Sequence, residues 1–150
     1  GSKKIGSIIG GSERDGERAK EKFLRATPSL RSLREKVERV AQRRWVRGLD
    51  QRKIIIRHPH AALNTLLQGA GAIVMKCALT LLENYVINKR IKAFPVVNVH
   101  DEFQYEVEES KAEEFGRLAV QSIIDAGKQL NVRCPLNGEY KIGNNWSETH

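Results

Sequence analysis

The chain has 150 residues, 40% of them hydrophobic and 29% charged, which suits one ordinary domain able to bury a core. Its 2 cysteines, Cys77 and Cys134, are too few for a disulfide framework or a zinc site and read as buried thiols. The longest apolar run, Gly69 to Leu82, is broken by Lys76 and is too short to cross a bilayer; with no cleavable signal at the start, a soluble cytoplasmic protein is expected.

The formal net charge of +8 is unevenly placed. Residues 1–59 hold 17 Lys and Arg against 7 Asp and Glu, whereas residues 60–150 hold 9 against 11. The basic half suits a polyanion, because each phosphate it neutralises releases counterions; a solvated helical surface would carry the same charge.

Gly1 and Ser2 read as a remnant of tag cleavage, followed by the short segment KKIGSIIGG. Ser12 then caps a predicted helix over 12–26, with acids in its first turn and Thr27-Pro28 as its stop. A second helix over 29–43 carries Leu30, Leu33, Val37, Val40 and Ala41 at helical spacing. RRWVRGLDQRKIIIRHPH reads as a basic hairpin, with strands Trp45 to Gly48 and Lys53 to Arg57. From Pro59 the chain enters a long apolar helix, His60 to about Asn88. A strand or hairpin starts at Pro95, an amphipathic helix runs from about Ser110 to Leu130, and the tail suggests a short strand and a closing Trp146. The sum is an α+β fold in which an antiparallel sheet packs against long helices.

Three features carry possible chemistry. His60, Asn64 and Gln68 recur every four residues and fall on one face of the long helix. Their side chains could meet the acceptors that every base pair shows in the minor groove, or form the wet stripe of a core helix over buried Leu63, Leu66 and Leu67. Gly69 and Gly71 weaken that helix, which points to close approach by another backbone or a ligand. In NVHDEFQYEVE, residues 98–108, apolar Val97, Val99, Phe103, Tyr105 and Val107 alternate with polar residues, and Asp101 interrupts the alternation. It reads either as a magnesium ligand at a hairpin tip or as an ordinary exposed turn.

Taken together, HAALNTLLQGAGAIVMK followed by VHDE, the preceding RRWVRGLDQRK and the terminal GNNWSETH resemble the C-terminal part of the family A DNA polymerases, particularly the bacteriophage replicative kind. The resemblance covers nearly the whole chain. It implies fingers helices in residues 3–42 and a palm portion in residues 43–150. It gives Asp101 a catalytic metal, His100 a place near the primer terminus and Glu102 a supporting role beside them. It also implies primer-template contacts for Asn64 and Gln68, joined by His60 and, on the basic hairpin, Arg52 and Lys53.

The family's earlier palm strand with a second aspartate, its nucleotide-binding fingers helix and its thumb have no match here. The resemblance therefore implies one piece of a DNA-directed DNA polymerase, a fragment or split subunit that is inactive alone. Its partners would be primer-template DNA, deoxynucleoside triphosphates, an N-terminal polymerase segment and Mg2+, in a host cytoplasm if the gene is a phage's. The alternative is a noncatalytic nucleic-acid-binding module derived from such an enzyme; a metal-dependent nuclease is a third reading.

Overall fold

The structure, a computed structural model, describes residues 1–149. It forms two compact units, one of Gly1–Val46 with Lys53–Thr65, the other of Arg47–Arg52 with the chain from Leu66 onward.

In the first unit, helices α1 (Ser2–Ile8), α2 (Glu13–Ala26) and α3 (Pro28–Ala41) follow one another. Ser12 caps α2 as its sequence predicts: its hydroxyl accepts from Asp15 N while Asp15 returns a bond to the Ser12 backbone. Pro28 starts α3, where a missing N–H costs nothing. Helix α1 carries isoleucine and glycine, both poor helix formers, and owes its existence to its packing against α2. The contact is backbone to backbone. A Cβ on Gly16 would lie 2.0 Å from the Ser2 carbonyl oxygen, and one on Gly6 would lie 2.2 Å from that of Ser12. Beyond α3, strand β1 (Trp45–Arg47) pairs with β2 (Lys53–Ile55), each shorter than the sequence suggests. A 3₁₀ turn, Pro59–Ala61, leads into α4 (Ala62–Lys89).

The second unit is built on α4. Its Leu82 and Val86 bury against Ile91 and against Phe115 and Ala119 of α5 (Ala112–Gln129). Phe103, Tyr105 and Val107 of a β-hairpin close this core. Tyr105 leans on Phe115 with ring centroids 4.9 Å apart and meets Phe103 edge-on at 6.0 Å. The hairpin consists of β3 (Ala93–Val99) and β4 (Glu102–Val107), antiparallel. A bulge between Pro95 and Val97 leaves Val96 without a partner. Toward the base, Ala93 and Pro95 oppose Val107 and Tyr105; toward the tip, Val97 opposes Gln104 and Val99 opposes Glu102.

Direct cross-strand partners share a face. Val97 and Val99 therefore lie with Glu102 and Gln104, not with Phe103 and Tyr105 as the simple alternation predicts. A two-residue loop reverses the parity between the strands, and the bulge reverses it back.

Helix α4 with its 3₁₀ lead-in is 31 residues long, and its most apolar stretch of 18 residues reaches a mean hydropathy of 1.5, so by length and composition it is long and apolar enough to cross a membrane, unlike the shorter run counted from sequence. Part of that apolarity serves the core, where Ala78 and Leu82 are fully buried, while Leu67 and Ile87 are exposed. Leu67 thus departs from its expected burial. So does Cys134, which is exposed, while Cys77 is half-buried.

The strand expected in the tail does not form. Instead the tail lies on α5, where glycines leave notches: a Cβ on Gly116 would sit 2.3 Å from the Tyr140 ring, and one on Gly127 would sit 2.9 Å from Leu136. Tyr140 Oη also donates to Glu113 at 2.8 Å. The chain ends in a short helix, α6 (Trp146–Thr149), where Trp146 is 47% exposed and does not close a core. Between α4 and α5, Asp125 accepts hydrogen bonds from Tyr85, Gln121 and Lys128 at 2.8–2.9 Å. Lys128 first, then Gln121 and Tyr85, hold its carboxyl down at about 2, against burial that acts to raise it.

Two outcomes follow from this packing. Gly16→Ala should destabilise the first unit by about 1–3 kcal/mol, because a methyl has no room beside Ser2 and Gly6, and thermal denaturation will read it. Asp125→Asn should lower stability near neutral pH, by about 1 kcal/mol or less given its exposure to solvent. A depressed carboxyl pKa stabilises above the unfolded value of 3.8 and loses that contribution as pH falls toward 2. The gap between Asp125→Asn and the parent should therefore close over that range in denaturation curves taken from pH 7 downward.

Candidate functional site

The pairing of Val99 with Glu102 leaves His100 and Asp101 as the whole loop between β3 and β4. His100 has φ 55°, in the left-handed region, whereas Asp101 does not have a positive φ. Histidine tolerates that region better than bulkier or branched residues do. Aspartate, poor in strands, is at home in the turn. The conflict that Asp101 poses to strand propensity is thus resolved by its leaving the strand. The tip is exposed at both His100 and Asp101.

Glu102 is different. It begins β4, is half-buried, and its Oε1 accepts from Gln104 Nε2 at 2.6 Å, two residues along the same face. Adjacent as they are, the two carboxylates have separate settings: Asp101 on an open turn, Glu102 fastened along a strand. Among the described residues no group of three metal-binding side chains gathers anywhere.

The helix row is less regular than its spacing suggests. Asn64 and Gln68 are both exposed on α4, one turn apart. His60 falls in the preceding 3₁₀ turn, which winds more tightly, so the four-residue repeat is α-helical only from Asn64 to Gln68. Its ring stacks on His58, with centroids 5.6 Å apart. Among the described residues, nothing beyond the adjoining turns of α4 lies within 4 Å of where a Cβ on Gly71 would be, so no close approach by another element accounts for that glycine.

On the basic hairpin, Arg52 is drawn to Asp50: its Nε donates to the carboxylate, and its backbone N–H donates to the same group at 3.3 Å. Burial acts to raise the Asp50 carboxyl, but the bonds and charge of Arg52, with a backbone bond of its own, together hold it below its ordinary value. Lys53 instead approaches the ring of Trp45, its Nζ 5.0 Å from the centroid. Arg43 lies closer, its guanidinium carbon 3.6 Å from the same centroid. Sequence reading passed over Arg43 and Trp45. The signal was there in RRW, cations beside the aromatic ring most able to hold them.

A cleft of about 570 Å³ contains none of the expected site residues. It lies between α4 and the hairpin, lined by Leu79, Glu83, Asn98, Phe103 and Tyr105 among others. Burial, and then the charge of Glu83, raise the Tyr105 phenol above its ordinary value.

Comparison with known proteins places these features in a family. The profile described as DNA polymerase family A matches residues 3–148. The DNA-directed DNA polymerase of Enterobacteria phage T3 is 35% identical over 176 aligned residues, covering 100% of this chain and 24% of that protein. That of Escherichia phage Phieco32 is 34% identical, covering 100% of this chain and 26% of its own. DNA polymerase I of Aquifex aeolicus is 36% identical over 87 residues, 58% of this chain. The chain thus spans about a quarter of the length of these phage relatives. In fold it is similar to the POL domain of Pol1 from M. smegmatis in complex with DNA primer-template and dNTP. The TM-score is 0.75 at 18% identity, over 83% of this chain and 24% of that one.

The turn geometry makes a prediction of its own. His100→Gly should leave the hairpin folded, within about 1 kcal/mol of the parent, because glycine enters the left-handed region without penalty. His100→Val should cost more, since a β-branched residue is least able to follow. Chemical denaturation of the three proteins will rank them.

Proposed function

This chain belongs to DNA polymerase family A, and we propose that it supplies part of the active site for template-directed nucleotidyl transfer, as a C-terminal fragment or split subunit of a DNA-directed DNA polymerase. In this reading residues 3–42 belong to the fingers and residues 43–150 to the palm, in a cytoplasmic enzyme. The observation that carries it is the tip of the β3–β4 hairpin, where an exposed aspartate stands in a two-residue turn between a histidine and a fastened glutamate.

Asp101 fits Mg2+ as a single hard oxygen donor on an open turn, and the remaining donors would come from the N-terminal polymerase segment. Magnesium, when bound, supplies charge stabilisation at the reacting phosphate and a more acidic primer hydroxyl. The chain's own residues do the rest. Asp101 presents a carboxylate at a fixed point, because a two-residue turn leaves it little freedom. Glu102, tied to Gln104, holds the start of β4 and so the direction of the turn. His100 offers a donor beside the primer terminus. Asn64 and Gln68, with His60, touch the duplex through groups that accept any sequence, and Arg52 and Lys53 meet phosphates.

Bare apolar side chains agree with a piece that meets more protein: Phe94 and Val96 are each 63% exposed and Ile87 62%. Alone, the chain should bind primer-template weakly and with steep salt dependence, and should not extend a primer.

The test is complementation with an N-terminal polymerase segment carrying the second palm carboxylate, the nucleotide-binding helix and the thumb. Extension with magnesium and deoxynucleotides should appear only in the mixture. There, Asp101→Asn should cut the single-turnover rate by orders of magnitude while DNA binding persists, and Glu102→Gln should cost less than about tenfold. Robust extension by the chain alone would overturn the proposal, as would a harmless Asp101→Asn. DNA binding without extension in any mixture would favour a noncatalytic module.

A further inference from the structure

We propose that Trp45 is a positioning residue for DNA, holding Arg43 and Lys53 so that Arg43 forms an additional contact to the phosphodiester backbone. This rests on the reading of the chain as a DNA-binding polymerase piece and adds two residues to it. At 3.6 Å from the ring centroid, the Arg43 guanidinium lies against the indole, and its Nε donates to the Trp45 carbonyl oxygen at 3.3 Å. One edge of the guanidinium is thereby spent and its plane is set. The N–H groups on Nη1 and Nη2 remain, the pair that grips two oxygens of one phosphate. Lys53 Nζ, 5.0 Å from the same centroid, adds a second charge on the same ring.

Both cations are exposed, and among the described residues neither is paired with an acid. Arg52 forms the contrast, its charge already answered by Asp50. A free surface arginine or lysine must be ordered when it meets a phosphate. One held on an indole is ordered beforehand, so more of the attraction is realised as affinity. A guanidinium stacked only for stability would have no need of a second, unpaired cation beside the same ring.

The experiment measures affinity of the 150-residue chain for a single-stranded oligonucleotide and for the corresponding duplex across a salt series. Both probes share the phosphate chemistry, so both should respond. Arg43→Gln should weaken binding about three- to tenfold and reduce the slope of log K against log salt by about one. Trp45→Leu, which leaves the charge unchanged, should weaken binding comparably, and Trp45→Phe should restore it to within about twofold. In the Trp45→Leu background, Arg43→Gln should cost less than about twofold, because its ordering is already lost.

An additive cycle in folded variants, or no rescue by phenylalanine, would overturn the proposal while leaving the polymerase reading intact. Absence of salt-dependent binding by the parent chain would sink both. If circular dichroism finds Trp45→Leu unfolded, Arg43→Gln decides alone: its site is exposed and the ring stays in place, and an unchanged salt slope overturns the assignment.

Discussion

The burial of Leu82 and Val86 of α4 against Phe115 and Ala119 of α5 is the contact on which the carboxylate hairpin depends. A two-stranded hairpin is marginal by itself in water. Here Phe103, Tyr105 and Val107 give β4 a buried side, and that side is fixed only because α4 and α5 already make a floor for it. Ile91 joins the same core just before β3, so the chain enters the hairpin from a fixed point. The position of Asp101 is therefore set from the base upward by apolar packing, and polar bonds near the tip only refine it. Such an order of control would suit the metal-binding role proposed for Asp101, in which a carboxylate is held to within tenths of an ångström.

Separate settings for Asp101 and Glu102 also have a chemical sense. Two adjacent carboxylates on a free turn would repel one another and compete for the same cation. Here the strand residue spends an oxygen on Gln104, and the turn residue stays open to solvent. A division of labour inside a dipeptide thus comes from nothing more than where the strand begins.

Much of this was legible in the sequence, and for identifiable reasons. The helix over 13–26 announced itself through Ser12 and the acids behind it, and the hairpin through alternation and the turn-forming aspartate. The family was visible in VHDE set at its distance after ALNTLLQG. What escaped reading had non-local causes. Helix α1 exists because Gly6 and Gly16 allow two backbones to touch, which no window of its own residues reveals. The tail suggested a short strand, but Tyr140 and Leu136 were claimed by glycine notches in α5. His60 slipped out of the helical row because Pro59 opens a 3₁₀ turn. The faces of Val97 and Val99 were misjudged because period-two counting ran straight through a turn and a bulge.

The bulge at Val96 has a consequence for how this hairpin tolerates inherited change. Seven residues of β3 face six of β4, and the surplus one keeps the base and the tip in different phase. Most amino-acid replacements along β3 would alter one side chain where it stands. Loss of a single codon near Val96 would instead exchange inside and outside for every residue on one arm, or else drag His100 and Asp101 out of the turn to keep the old faces. The composition would hardly change, but the carboxylate would be lost to its position. The hairpin is thus open to variation in spelling and closed to variation in length.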